Sequence, residues 1–122
     1  MTFREIVRAP EFEKDLKKLA KRFHTLRDDL EVFIQKQLVL SHTLGIDNSG
    51  VEQMPGFGSE DVKVFKGRKF ACRSLKGRGV HSGIRVIYTY CKRTDRITLI
   101  EIYFKGDKPD EDQSRLGNFE VT

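Results

Sequence analysis

The sequence predicts an α+β fold. It should comprise an N-terminal strand, a two-helix hairpin, an antiparallel twisted sheet of about four strands carrying the helices on one face, and a short C-terminal helix. Three observations predict it. Phe12, Leu16, Leu19 and Phe23 recur at spacings of four, three and four, one face of a helix. IRVIYTY (84–90) and RITLIEIYF (96–104) are rich in β-branched and aromatic residues, as strands are. The helical stretches come before nearly all of the strand stretches, which favours a sheet with helices packed on one side over a βαβ alternation. A chain of 122 residues suits one compact domain, residues 1–122, with a modest core.

Taken in order, Phe3, Glu5 and Val7 alternate against Arg4 and Ile6 in a short first strand. Pro10 then opens a helix, at a position where its missing N–H costs nothing. Thr25, with Asp28 three residues on, is the expected N-cap of a second helix. Its apolar stripe is Leu26, Leu30, Phe33, Ile34 and Leu38. The link between the helices is very short, so they should form an antiparallel hairpin. Residues 41–61 hold Gly45, Gly50, Pro55, Gly56 and Gly58 and read as a run of turns.

VKVF (62–65) is read as a strand, followed by a turn at Lys66-Gly67-Arg68. Next, residues 69–91 read as a strand, a glycine-spaced basic loop and a second strand. FACRSL (70–75) is the first strand, and Lys76-Gly77-Arg78-Gly79 begins the loop. In IRVIYTY, Ile84, Val86, Tyr88 and Tyr90 share one face, with Arg85, Ile87 and Thr89 on the other. RITLIEIYF is apolar on both faces, so it should be central, between the first strand and the rest. Pro109 to Asp112 would start an acidic C-terminal helix, with Gly117 near its end. The face away from the helices should carry the cations.

Charge is unevenly distributed. The net charge is −2 over residues 1–61, +10 over 62–108 and −3 over 109–122. A segment that holds all the excess positive charge favours a polyanionic partner, RNA or DNA. The longest apolar runs fall far short of the roughly 20 residues a membrane helix needs. The N-terminal residues lack the apolar stretch of a secretory signal, so a cytoplasmic location is expected. Cys72 and Cys91 are the only cysteines. They read as buried thiols, with no zinc spacing among Cys72, His81 and Cys91; neither a metal nor another cofactor is expected.

Three pieces of the chain resemble the RelE/HigB-type toxins of type II toxin–antitoxin modules. They are EFEKDLKKLAKRF, LKGRGVHSGIRVIYTY and ITLIEIYFKGDKPDED. The first is similar to an opening basic amphipathic helix. The next, LKGRGVHSGIRVIYTY, is similar to the family's basic loop followed by Gly-x-Arg-hydrophobic-hydrophobic-Tyr. The third resembles its last strand, closing lysine and acidic helix start. The resemblance implies a RelE-like fold and a metal-independent endoribonuclease that cuts mRNA in the ribosomal A site. The ribose 2′-OH attacks the adjacent phosphate and leaves a 2′,3′-cyclic phosphate. It also implies a small DNA-binding antitoxin as partner.

Carried over by the resemblance, Arg85 is the strand arginine that grips phosphate, and Lys76 and Arg78 are the basic loop. Arg73 is a second phosphate contact if it shares the face of Arg85. Lys105 closes the last strand, with Lys108 as its alternative. Several relatives use a tyrosine in or near the C-terminal helix as base, and PDEDQSRLGNFEVT contains none. His81 is then the candidate base, since imidazole titrates near neutral pH. Lys76, a lysine among other cations, is its rival. Two further readings share the scaffold: a non-enzymatic ParE-like gyrase poison, and an RNA- or ribosome-binding module without chemistry.

Overall fold

A computed structural model of the chain describes residues 2–116. The elements are β1 (Glu5–Arg8), α1 (Pro10–Ala20), α2 (Leu26–Phe33), a π-helical continuation (Ile34–Thr43), β2 (Val51–Gly58), β3 (Val62–Gly67), β4 (Ile84–Cys91), β5 (Arg96–Phe104) and α3 (Gln113–Leu116). The sheet has five strands in the order β1-β5-β4-β3-β2. β5 lies between β1 and the others, as its two apolar faces predict. β1 runs parallel to β5, and the other pairings are antiparallel.

α1 follows the expected register, with Pro10 at its start and Phe12, Leu16 and Leu19 buried. They pack with Leu26, Leu30, Phe33 and Leu38 of the second helix against Ile84, Val86, Tyr88, Ile97, Leu99 and Ile102 of the sheet. Fully burying side chains of this size stabilises by about 1.5–3 kcal/mol each, so this layer dominates the stability of the fold. Thr25 precedes α2 but does not cap it with its side chain. Its hydroxyl instead donates to the Asp29 carboxylate at 2.6 Å.

Other expectations are corrected too: Lys66 and Gly67, read as part of a turn, complete β3. Residues 51–58, read as turns, form edge strand β2. An edge strand tolerates Pro55, and the register shift between Gln53 and Gly58 absorbs the glycines. FACRSL is not a strand. It makes only one isolated bridge, Phe70 to His81, so β3 pairs directly with β4 and residues 68–83 are a long connection. The face away from the helix hairpin is not simply cationic. It carries a second apolar cluster of Met54, Val64, Ile87, Ile100, Tyr103 and Leu116. Finally, Pro109 to Asp112 are not helical; α3 begins at Gln113, and the expected stop at Gly117 lies outside the described residues.

The acidic C-terminal segment is instead a strap over that second face. Glu111 pairs with Lys66 of β3 at 2.6 Å, both side chains being largely buried. Glu101, buried on β5, takes Lys108 and the backbone N–H of Asp112. Arg115 reaches the Asp15 carboxylate of α1 at 2.6 Å and so ties the strap to the hairpin.

Candidate phosphate-binding site

The connection between β3 and β4 is fixed at both ends by side chains. At its start Asp29, itself 3% exposed, accepts the Arg73 backbone N–H at 3.0 Å and Arg73 Nε at 2.7 Å. Thr25 and Ser74 exchange bonds beside it, with the Ser74 N–H donating to the Thr25 hydroxyl at 3.0 Å and the Thr25 N–H to Ser74 Oγ at 3.1 Å. At its end buried Ser82 donates to the Phe70 carbonyl and accepts the Ile84 N–H at 3.1 Å. The backbone N–H groups of Phe70, Arg73, Ser74 and Leu75 therefore find partners without a neighbouring strand. Between these anchors Lys76, Arg78 and His81 stand exposed.

Arg85 enters on β4 directly across from Tyr103 of β5. Among the described residues its guanidinium is held only by backbone carbonyls, that of Arg68 at 3.3 Å and that of Ile84 at 3.5 Å. Lys105 follows β5, and its N–H donates to the Gly83 carbonyl at 2.8 Å. Gly83 itself has φ +89° and faces the Phe104 ring, which a Cβ would meet at 3.2 Å. Only glycine suits both demands. The start of β4 and the end of β5 thus bring Arg85, Lys105 and the basic loop to one end of the sheet. Arg78 reaches the same end of the sheet on its hairpin face, its guanidinium 6.0 Å from the Phe104 ring centre.

Ion pairing divides the seven expected residues. Arg73 is bound to Asp29. It lies beside α2 on the hairpin side, away from Arg85. Lys108 is bound to buried Glu101 and lies over the Tyr103 ring at 5.3 Å. Lys76, Arg78, Arg85 and Lys105 form no ion pair among the described residues. A cation already satisfied by a carboxylate has little left for phosphate, whereas an unpaired one exposes its full charge. This separates four cations available to an anion from two that hold the fold together. His81 sits at the end of the loop with its backbone bridged to Phe70.

Two residues at this end of the sheet had no place in the sequence reading. Tyr103 is 4% exposed. Burial first, then Glu111 and Glu101, push its phenol up to about 12 while Arg85 pulls the other way. At neutral pH it is therefore a neutral O–H beside Arg85 and not a ready base. Its signal in the sequence is parity, two residues before Lys105. The other is Arg22, whose guanidinium lies 5.7 Å from the Phe104 ring centre and pairs with Asp107 at 2.6 Å.

Burial lowers His42, at the end of the π-helical segment, to about 4. It stacks on Tyr90 at 4.5 Å and bonds the Tyr88 hydroxyl at 2.8 Å; it belongs to the core. No group of three or more His, Cys, Asp or Glu among the described residues is placed to hold a metal. No helix there is long and apolar enough to cross a membrane.

These features define a small α+β protein with four cations, unpaired among the described residues, at one end of its sheet. Neither a protein-family model nor a curated protein matches the sequence. Among solved structures it is similar to a chain of the archaeal RelE-RelB complex from Pyrococcus horikoshii OT3. The identity is 21%, covering 87% of this chain and 98% of that one, with a TM-score of 0.46. A likeness that distant assigns no function, so the function proposed below rests on the residues of this chain.

Proposed function

We propose that the protein is the toxin of a type II toxin–antitoxin module and a metal-independent endoribonuclease acting on mRNA in the ribosome. The observation that carries this reading is the set of cations, unpaired among the described residues, at the Arg85 end of the sheet, on residues that also match the sequence pattern of RelE/HigB-type toxins. Arg85 offers a planar fork to two phosphate oxygens, and Lys105 and Arg78 bring further charge to the same end of the sheet. Attack of the ribose 2′-oxygen on phosphorus builds negative charge on those oxygens. Cations fixed in advance stabilise that charge more than they stabilise the bound substrate.

His81 accepts the 2′-OH proton as the new O–P bond forms. The P–O5′ bond breaks, and the leaving oxygen takes a proton from an acid, for which Lys76 on the same loop is the candidate. The products are a 2′,3′-cyclic phosphate and a 5′-OH. The partners are the ribosome with its mRNA and a small DNA-binding antitoxin, and the site of action is the cytoplasm. The test is expression without an antitoxin. Growth should stop, with translated mRNA cut to ends bearing cyclic phosphate. Soluble, folded protein that leaves growth and translation untouched would overturn the proposal.

A further inference from the structure

We infer that Lys66 is a further phosphate-binding residue, and that the Glu111 carboxylate of the C-terminal strap holds it until RNA takes its place. This inference rests on the RNA-cleaving reading above and adds to it a gate built into the chain.

The register of the sheet puts Lys66 beside the site. Lys66 on β3 stands opposite Ile87 on β4, and Arg85, two residues before Ile87, shares its face. Diagonal neighbours of this kind are roughly 7–8 Å apart, a separation that a lysine side chain spans. Tyr103 of β5 is directly across from Arg85 on the other side. Lys66, Arg85 and Tyr103 therefore lie on one face of the sheet, the face that the strap covers.

The charge of the strap reaches the same place. Glu111 pairs with Lys66 at 2.6 Å, with the side chains 4% and 12% exposed. The Tyr103 phenol, raised first by its burial, is raised further by Glu111 and lowered by Arg85. Glu111 and Arg85 thus act on one hydroxyl, and the oxygens of a carboxylate hold a lysine that could otherwise take those of a phosphate.

Lys66 differs from Arg73 and Lys108 in the origin of its carboxylate. Asp29 and Glu101 belong to α2 and β5 and are held in place by those elements. Glu111 lies between Lys108 and α3, in a segment with neither helix nor strand. Lifting it gives up the bond from the Asp112 N–H to Glu101 at 2.9 Å. A buried ion pair adds little net stability, because desolvation offsets the attraction. Exchanging one anion for another keeps Lys66 paired throughout and returns Glu111 to water. The exchange becomes more favourable as the reaction proceeds, since charge builds on the phosphate oxygens and not on the carboxylate.

The test is cleavage of a reporter mRNA on programmed ribosomes at limiting protein, with circular dichroism as the folding control. Glu111→Gln keeps the shape and removes the competing charge. It should cut about tenfold faster than the parent, the scale of one charge-assisted hydrogen bond. A pair with a purely structural role would give no such gain. Lys66→Met/Glu111→Leu removes both buried charges, a change that buried pairs often tolerate. It should cut at least about tenfold more slowly than the parent, having lost a cation at the reacting phosphate. Folded Glu111→Gln that cuts at or below the parental rate, or a folded double variant that cuts at the parental rate, would refute the role of Lys66 while the reading of Arg85 stands. If Glu111→Gln does not fold, the double variant decides alone. Parent protein that cuts no mRNA would refute the function on which the inference depends.

Discussion

Asp29 anchors the basic loop, and its removal is a severe test of how that loop is held. The carboxylate is buried and receives the Thr25 hydroxyl at 2.6 Å, the Arg73 N–H at 3.0 Å and Arg73 Nε at 2.7 Å. Hydrogen bonds to a charged group contribute about 1.5–3 kcal/mol each, but they do not add fully. The Arg73 side chain is open to water, so that contact is screened and is left out of the sum. The backbone N–H of Arg73 loses its acceptor, while the Thr25 hydroxyl still has Ser74. Asp29→Ala should then cost about 2–3 kcal/mol, and Asp29→Asn less, because an amide oxygen can still accept.

The dependence on pH has a defined sign. Burial raises the Asp29 carboxyl, but the bonds from Thr25 and Arg73 outweigh it and hold the group below the ordinary aspartate value of 3.8. Its contribution is present above that value and is lost as pH falls through the lower, folded one. Urea unfolding of the parent and Asp29→Ala at neutral pH and near pH 3 measures both effects. The difference between the proteins should shrink at the acid end. A neutral-pH difference under about 0.5 kcal/mol, the size of an ordinary surface change, would refute the anchoring argument.

Arg73→Ala should leave the salt dependence of RNA binding unchanged, because Asp29 already neutralises it, whereas Arg85→Ala should lower the log–log slope by about 1; affinity titrations across salt concentrations distinguish them. Lys108→Ala should destabilise by about 2 kcal/mol, since it strips buried Glu101 of its cation, and thermal unfolding reads this directly. His42 is lowered to about 4 by burial, so the unfolded chain binds its proton first. Stability should fall as pH drops from about 6.5 towards 4, and His42→Gln should flatten that part of the profile in urea midpoints.

Much of the fold could be read from periodicity because burial imposed it. Phe12, Leu16 and Leu19 of α1 and the alternation of β4 face the hairpin core as expected, and Phe23 joins that core from beyond the end of α1, which stops at Ala20. Where local chemistry competed with periodicity, the reading failed. Phe70 and Cys72 are both buried, so the alternation in FACRSL is real. What the sequence could not show is that Arg73 and Ser74 would bond side chains at Asp29 and Thr25, more than 40 positions away. Glycine and proline in residues 51–58 signalled turns, and an edge strand with a register shift accepts them. The π-helical turn from Ile34 buries Gln37, Leu38 and Val39 in succession, a pattern that α-helical spacing does not describe.

The candidate site divides in the same way. The face of Arg85 follows from strand parity, Lys105 was placed by the family resemblance, and their convergence required only that β4 pair with β5. The commitment of Arg73 and Lys108 to carboxylates was invisible, because Asp29 and Glu101 are indistinguishable in sequence from surface acids. Tyr103 was missed because the C-terminal helix is where a tyrosine base is expected, while the phenol beside Arg85 lies on the strand before it.

The central claim is that Arg85 grips the scissile phosphate, and cleavage of a reporter mRNA on programmed ribosomes by Arg85→Ala tests it most directly. Among the described residues the side chain bonds only to carbonyl oxygens, and the core contacts of β4 come from its neighbours Ile84 and Val86. Circular dichroism should therefore show a folded variant. Loss of one preorganised cation should slow cleavage by about 10²-fold or more, with Arg85→Lys recovering only part of the rate. A folded Arg85→Ala protein that cuts at the parental rate would contradict the account.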